Sequence, residues 1–236
     1  MEKIKVVLPE PLPQNPENTT TPISSQPEIN RADELAKAVK RNALSLPLRL
    51  QGKTMLNFNG HAEEAAQARK EILAGRGAFL TGLCGRGKTH LAVGMAYEWF
   101  VNGIKYGQDW LTSEPEKVFP KPPQFKGIVG LMLELQASFE SPTSEMAILE
   151  KYAGATLLIL DDLGTEKISE WSRSRFYWLL NERYLNCRPT IITSNLGLDE
   201  IAKLIDERIP SRVAEMGKAI KLEGKDYRLG LSETSR

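Results

Sequence analysis

Cysteine is almost missing from this chain. Cys84 and Cys187 are the two in 236 residues, too few for a disulfide framework or a four-cysteine zinc site. No stretch approaches the roughly 18 consecutive apolar residues of a membrane span. The opening Val6-Val7-Leu8 meets Pro9 long before it reaches the length of a signal-peptide core. An excess of either charge is also lacking: 31 Lys and Arg face 30 Asp and Glu, for a net charge of +1. That balance excludes a polybasic coat, so any nucleic-acid contact has to come from local patches. No internal repeat is present. These absences describe a cytoplasmic chain with no membrane role. What is there suits a core: 41% of residues are hydrophobic and 26% charged, and the length fits one domain plus arms.

Six of the fourteen prolines fall in the first thirty residues, among Asn, Thr, Ser and Gln. Such a segment buries too little surface to offset its ordering entropy, so it reads as a flexible arm. Residues 32–44 are helix-compatible and are closed by Pro47, as either a tether or a short partner-binding helix. The organisation expected is therefore an arm over 1–45, a nucleotide-binding domain over 46–228 and a tail over 229–236.

From Gly60 onward, strands alternate with helices, which means a parallel sheet with crossover helices. Helices are expected over Ala62–Ala74, Thr89–Val101 (ended by Asn102-Gly103), Leu131–Phe139 and Trp171–Tyr184. Strands are expected at Ala78–Thr81, at a second site ending on Ile128-Val129, at Thr156–Leu160 and at Thr190–Thr193. The apolar runs at Leu157–Leu160 and Ile191-Ile192 mark strands buried on both faces. Gly107–Lys126 interrupts the rhythm with four prolines and three aromatics. A loop of that length is functional or mobile. Its Trp110, Phe119 and Phe125 either stack bases among Lys117, Lys121 and Lys126 or simply pack.

Gly82-Leu83-Cys84-Gly85-Arg86-Gly87-Lys88-Thr89 matches G-x-x-x-x-G-K-[ST] between a strand and a helix. The glycines Gly82, Gly85 and Gly87 let successive backbone N–H groups wrap a β-phosphate. Lys88 neutralises β- and γ-phosphate charge, and the Thr89 hydroxyl holds Mg²⁺. Arg86 within the loop and His90 just after it join the nucleotide-binding set, His90 having a helix-surface position as its other reading. Cys84 reads as a small filler or an oxidation-sensitive thiol. Downstream, Leu157–Leu160 runs into Asp161-Asp162. A parallel strand beside the loop strand puts Asp161 near Mg²⁺ and Asp162 near the γ-phosphate, where it can orient a water. Asn195 closes the Thr190–Ser194 run at the end of a strand where ligands of open α/β sheets bind.

These residues, with their neighbours, carry a resemblance. The entry segments Leu46–Arg49 and Thr54–Phe58, the loop at Gly82–Thr89, and Leu160–Lys167 (LDDLGTEK) come first. Asn181–Tyr184 (NERY), Thr190–Leu196 (TIITSNL), Glu207–Val213 (ERIPSRV) and Gly224–Arg228 (GKDYR) follow in order. Together they resemble the DnaC/IstB branch of the AAA+ ATPases, over about three quarters of the chain. The resemblance implies an α/β P-loop fold of AAA+ type, with a parallel sheet flanked by helices. Only 24 residues follow Arg212, so the C-terminal helical lid common in AAA+ proteins is not expected, since helices average about 10–14 residues.

By position, the resemblance implies Walker A roles for Lys88 and Thr89, Walker B roles for Asp161 and Asp162, and a sensor role for Asn195. Asp162 stands where the pattern usually has Glu. Arg212 falls at the arginine finger that completes a neighbouring subunit's site, with Arg208 one turn earlier as second choice; by pattern alone both read as a solvated helix face. The implied activity is Mg²⁺-dependent ATP hydrolysis in a helicase loader. Its partners would be a replicative DNA helicase, single-stranded DNA and further copies of the chain in the ATP-bound state. The alternatives are an IstB-like transposition helper and a non-hydrolysing ATP-binding adaptor.

Overall fold

The computed structural model describes residues 33, 35–38, 40, 44–106, 122–164, 169–224, 226 and 227, with the side chains of 103–106 left out. The proline-rich arm, most of the 107–126 interruption and the C-terminal tail lie outside the described residues.

Five parallel strands form one sheet in the order β2-β3-β4-β1-β5. They are β1 (Gly77–Thr81), β2 (Gln124–Gly127), β3 (Leu158–Leu163), β4 (Thr190–Ser194) and β5 (Gly217–Lys221). The helices are α1 (Ala62–Leu73), α2 (Lys88–Tyr106), α3 (Ile128–Ala137), α4 (Glu145–Ala153), α5 (Glu170–Leu185), α6 (Leu198–Leu204) and α7 (Arg208–Met216). Side chains alternate across a strand, and the sheet divides its apolar residues accordingly. Ala78 and Leu80 of β1, Ile159 of β3 and Ile191 of β4 enter one core with Ile72 of α1 and Leu91, Met95 and Trp99 of α2. Phe79, Leu158, Leu160 and Ile192 enter the other, against α3 to α7. Burying each such side chain stabilises by about 1.5–3 kcal/mol. Leu35, Ala38, Leu44 and Leu46, ahead of the first labelled helix, also pack into the core on the α1–α2 side. Among the described residues, no helix is long and apolar enough to cross a membrane.

Several boundaries differ from the sequence-based expectations. The second strand ends at Gly127 rather than Ile128-Val129, because Gln124 to Gly127 pair in register with Leu158 to Asp161. Ile128 instead starts α3, where its side chain is buried. Helix α2 continues through Asn102-Gly103 to Tyr106. A mid-helix Gly costs only about 1 kcal/mol, and a buried face running from Leu91 to Val101 outweighs it. The edge strand β5 had no apolar run to announce it. Of its five residues only Ile220 is buried.

Arg183 of the NERY motif is fully buried at 0% exposure. Its guanidinium donates to the carbonyls of Tyr152, Ala153, Ala155 and Pro189 and to Thr190 Oγ1, at 2.6–3.1 Å. Tyr152 and Ala153 end α4, so a fixed cation sits at that helix's negative pole. Burial, with Arg188 nearby, pulls its pKa down to about 9, and it stays charged at neutral pH. This arginine ties α4, α5 and the entrance of β4 together.

Candidate functional site

The loop Gly82–Thr89 joins the C-terminal end of β1 to the first turn of α2. Gly82, Gly85 and Gly87 all take positive φ, at 142°, 76° and 89°, the conformations that glycine adopts without steric cost. A Cβ on Gly82 would sit 2.2 Å from the Leu222 carbonyl oxygen, so no other residue fits at that turn. Lys88 is buried at 5% exposure. Its Nζ donates to the carbonyls of Gly82 (2.7 Å) and Leu83 (3.0 Å) and to Asn195 Oδ1 (2.7 Å). The sheet order places β4 beside β1, which is why a residue 107 positions away lies within reach of the loop lysine.

The other neighbour of β4 is β3, and it brings the carboxylates. Thr89 Oγ1 donates to Asp161 Oδ1 at 2.9 Å. Thr193 Oγ1 donates to the same oxygen at 2.6 Å and accepts from the Asp162 amide at 2.9 Å. Burial pushes the Asp161 carboxyl up, the Thr193 hydrogen bond pulls against it, and the Asp162 charge adds to the rise. Asp161 is thus a desolvated carboxylate next to a hydroxyl, with two donors already on one oxygen. A hard cation that keeps several waters suits one hydroxyl and one carboxylate of this kind, so the pair fits Mg²⁺.

Asp162 is different. It lies in the left-handed region at φ 60°, at an irregularity between Leu160 and Leu163 in the β3–β4 register. Bulges of this kind re-aim side chains at strand ends. Here the Asp162 side chain is exposed while both neighbours are buried.

The remaining expected residues spread out. His90 Nε2 lies 3.0 Å from the Thr54 carbonyl oxygen and 2.9 Å from Asn57 Oδ1. Burial lowers its pKa. Those two partners belong to the entry segment, so the imidazole braces that segment against α2. Arg86 is half-buried, with Nη1 sealed from solvent and unpartnered among the described residues. Arg208 and Arg212 both lie on α7, against α5 rather than the phosphate loop. Arg208 chelates Asp206 and lies 3.8 Å from the Tyr177 ring centre. Arg212 donates twice to Asn181 Oδ1 (3.1 and 2.8 Å) and also stacks on Tyr177, at 4.7 Å.

Sequence reasoning passed over Thr193, which ties both aspartates to β4. Its signal was a hydroxyl directly after the apolar Ile191-Ile192 pair, now seen to be fully buried. It also passed over Phe58, His61 and Tyr227, which gather at the loop's edge. Phe58 would be 2.8 Å from a Cβ on Gly87, and the Tyr227 amide donates to the Gly85 carbonyl at 3.1 Å.

The chain is similar to known proteins in sequence and in fold. Residues 121–234 match the family described as IstB-like ATP binding protein. The replicative helicase loader DnaC of Escherichia coli K12 is 25% identical over 134 residues, which is 56% of this chain and 48% of that protein. The match therefore spans about half the length of that curated relative. Among solved structures, that of a DnaC helicase loader superposes with a TM-score of 0.61 at 23% identity, covering 75% of this chain and all of the other. The replication initiator DnaA bound to AMPPCP and single-stranded DNA gives 0.58 at 21% identity, covering 80% of this chain and 56% of the other. The fold is the α/β fold of these structures, a parallel sheet flanked by helices with a phosphate-binding type of loop after β1, and in sequence the chain is similar to IstB-like and DnaC proteins. The family match supports nucleotide binding.

Proposed function

We propose that this protein is a Mg²⁺-dependent ATPase of DNA replication that loads a replicative helicase onto single-stranded DNA. The observation that carries the proposal is the convergence of Lys88, Asn195, Thr89, Asp161 and Thr193 at the C-terminal end of β1, β3 and β4. Five polar side chains, from the first turn of α2, from β3, and from β4 and the residue after it, meet where P-loop proteins hold phosphates. The likeness to a replicative helicase loader supplies the biological direction.

In this reading, the backbone amides of Gly82 to Thr89 wrap the β-phosphate and Arg86 adds positive charge. Lys88 exchanges its present carbonyl and amide partners for β- and γ-phosphate oxygens. Such charge-assisted hydrogen bonds are about twice as strong as neutral ones. Thr89 and Asp161 hold Mg²⁺, which when bound neutralises charge on the phosphates. Thr193 fixes the Asp161 rotamer and the Asp162 backbone together. Asp162, turned outward by the bulge within β3, orients the attacking water, and Asn195 reports the γ-phosphate. Arg212 acts on the site of the next copy in an ATP-bound oligomer, with Arg208 beside it. ATP between copies holds the assembly around the strand, and hydrolysis releases the helicase.

Steady-state phosphate release with and without single-stranded DNA, together with co-purification with the replicative helicase, tests this reading. Mg²⁺-dependent turnover and helicase retention in ATP are expected. Retention of a transposase instead would favour a transposition helper, a second reading drawn from the IstB-like match. Tight ATP binding with no turnover under any condition would leave an adaptor, which the outward-turned Asp162 also permits.

A further inference from the structure

Helices α5 and α7 meet along a polar seam with a regular spacing. Tyr177, Asn181 and Tyr184 stand at i, i+4 and i+7 of α5, and Arg208, Arg212 and Glu215 at i, i+4 and i+7 of α7, so each set forms one stripe. The apolar residues beside them, Phe176, Leu179 and Leu180 on α5 and Ile209 and Val213 on α7, are buried in the core. The stripes pair in order. Arg208 lies over the Tyr177 ring, Arg212 donates to Asn181, and the Tyr184 hydroxyl donates to Glu215 Oε2 at 2.5 Å. Arg212 also rests against the rings of Tyr177 and Tyr184, its guanidinium carbon 4.7 and 5.7 Å from their centres.

The two arginines are held by different chemistry. Arg208 forms a bidentate pair with Asp206, whose Oδ1 also accepts the Arg208 amide. The Arg208 hydrogen bond holds the Asp206 carboxyl below its ordinary value, as a charge-assisted pair does. Arg212 is held by neutral groups instead. Its Nε and Nη2 both donate to Asn181 Oδ1, at 3.1 and 2.8 Å. Nη1 makes a long contact, 3.5 Å from the Arg208 carbonyl oxygen. A guanidinium carries five N–H donors in a rigid fork. The amide engages the Nε–Nη2 side of that fork and so sets its plane, while the Nη1–Nη2 end, which can bridge two phosphate oxygens, is left weakly engaged.

We infer that Asn181 is the positioning residue of Arg212, an amide that orients the guanidinium without neutralising it, so that its other end can reach a phosphate of the next copy. The inference rests on the reading of Arg212 as acting in trans and adds what prepares it. An amide oxygen accepts the same two hydrogen bonds as a carboxylate but carries no charge. A carboxylate at 181 would form the kind of pair that Arg208 already makes with Asp206, and would compete with the phosphate for the cation. An apolar residue there would return rotamer freedom to a long side chain, which then has to be ordered again at each turnover.

The experiment is steady-state phosphate release by the full chain at saturating ATP with Mg²⁺, with ATP affinity and melting temperature measured on the same samples. Asn181→Ala should keep ATP affinity within about twofold and lose about tenfold in turnover. Asn181→Asp should lose at least as much turnover while melting no lower than wild type. In an Arg212→Ala background, either change at 181 should leave the residual rate within about twofold, because a residue that acts through Arg212 then has nothing to position. Mixed with Lys88→Ala, whose Arg212 and Asn181 are intact, Asn181→Ala should regain part of its turnover. Wild-type turnover in Asn181→Ala or in Asn181→Asp, beside an impaired Arg212→Ala, would overturn the positioning role and leave the trans arginine standing. A loss at 181 that persists in the Arg212→Ala background, or that follows a falling melting temperature across the variants, would mark a structural seam and overturn it as well. Wild-type turnover in Arg212→Ala itself removes the trans arginine and the positioning role together, and so does a wild type with no turnover.

Discussion

The C-terminal end of the sheet and the α5–α7 face both concentrate polar side chains, but they satisfy them in opposite ways. At the sheet end, Lys88 and Asp161 are buried and each finds fixed partners from a neighbouring strand or the loop. On the α5–α7 face, Arg208 is exposed and Arg212 half-buried, held by one acidic residue, one amide and the rings of Tyr177 and Tyr184. The first set is preorganised within one chain. The second is a pair of permanent cations resting on flat surfaces, which can be drawn to a stronger anion at little cost. The difference teaches where the chain is self-sufficient and where, in the proposed oligomer, a second copy would have something to gain.

The sharpest way to break that comparison is at Arg212. Arg212→Ala is expected to bind ATP as wild type does and to lose turnover by about a hundredfold, less than the roughly 10³–10⁵ that trans-acting arginines supply in GTPases. Thermal stability should fall by about 1 kcal/mol or less, the scale of losing the Asn181 hydrogen bonds and the ring contacts of a half-buried side chain. Mixing Arg212→Ala with Lys88→Ala should restore part of the turnover that each lacks. If native mass spectrometry detects mixed oligomers and no turnover returns, Arg212 does not act in trans.

Lys88→Ala comes next. It removes a buried cation and its three hydrogen bonds, and ATP affinity measured by calorimetry should fall about a hundredfold. Unchanged affinity would dissolve the contrast, because the sheet end would then be a structural network only. Asp162→Asn should keep ATP affinity within about twofold while turnover falls at least about tenfold, read by phosphate release. Equal turnover would move the water-orienting group elsewhere.

The smallest effect is on stability and has the opposite sign. The Asp161 carboxyl is raised by burial, so its ionised form is disfavoured in the folded state. That contribution to stability is full below the ordinary carboxylate range and is lost as pH rises through the raised value. Asp161→Asn keeps an acceptor for Thr89 and Thr193 without the charge. Without nucleotide it should melt a few degrees higher near neutral pH, on the scale of roughly 0.5–2 kcal/mol seen for stabilising single substitutions. Mg²⁺-dependent ATP affinity should drop at the same time. A lower melting temperature would show that the charged carboxylate is already well compensated.

Much of this was legible in the sequence because it is local. The loop's glycines, lysine and threonine lie within eight residues, and the apolar runs at Leu157–Leu160 and Ile191-Ile192 carry their own evidence of two-sided burial. Less was legible wherever pairing supplied what the residues lacked. Gly217–Lys221 buries only Ile220, and it becomes a strand because β1 has an open edge to offer. Asn102-Gly103 looked like a helix end, but it lies in a helix anchored by a long buried face. Arg183 and Arg212 both belong to short charged motifs of the resemblance, and nothing in either motif tells the buried tie from the half-buried cation.

The sequence by itself determined the chemistry available: a loop able to wrap phosphate, a lysine and a threonine at its end, two aspartates and an asparagine after apolar runs. Only the tertiary structure decided how these meet. Placing β4 between β1 and β3 brings Asn195 to Lys88 and Thr193 to Asp161 across gaps of 107 and 32 residues, and a bulge turns Asp162 outward while its neighbour stays buried. The physical reason is that a residue's chemistry is written in its own atoms. Its partners are set by strand order and register, which follow from how all the apolar faces are buried at once.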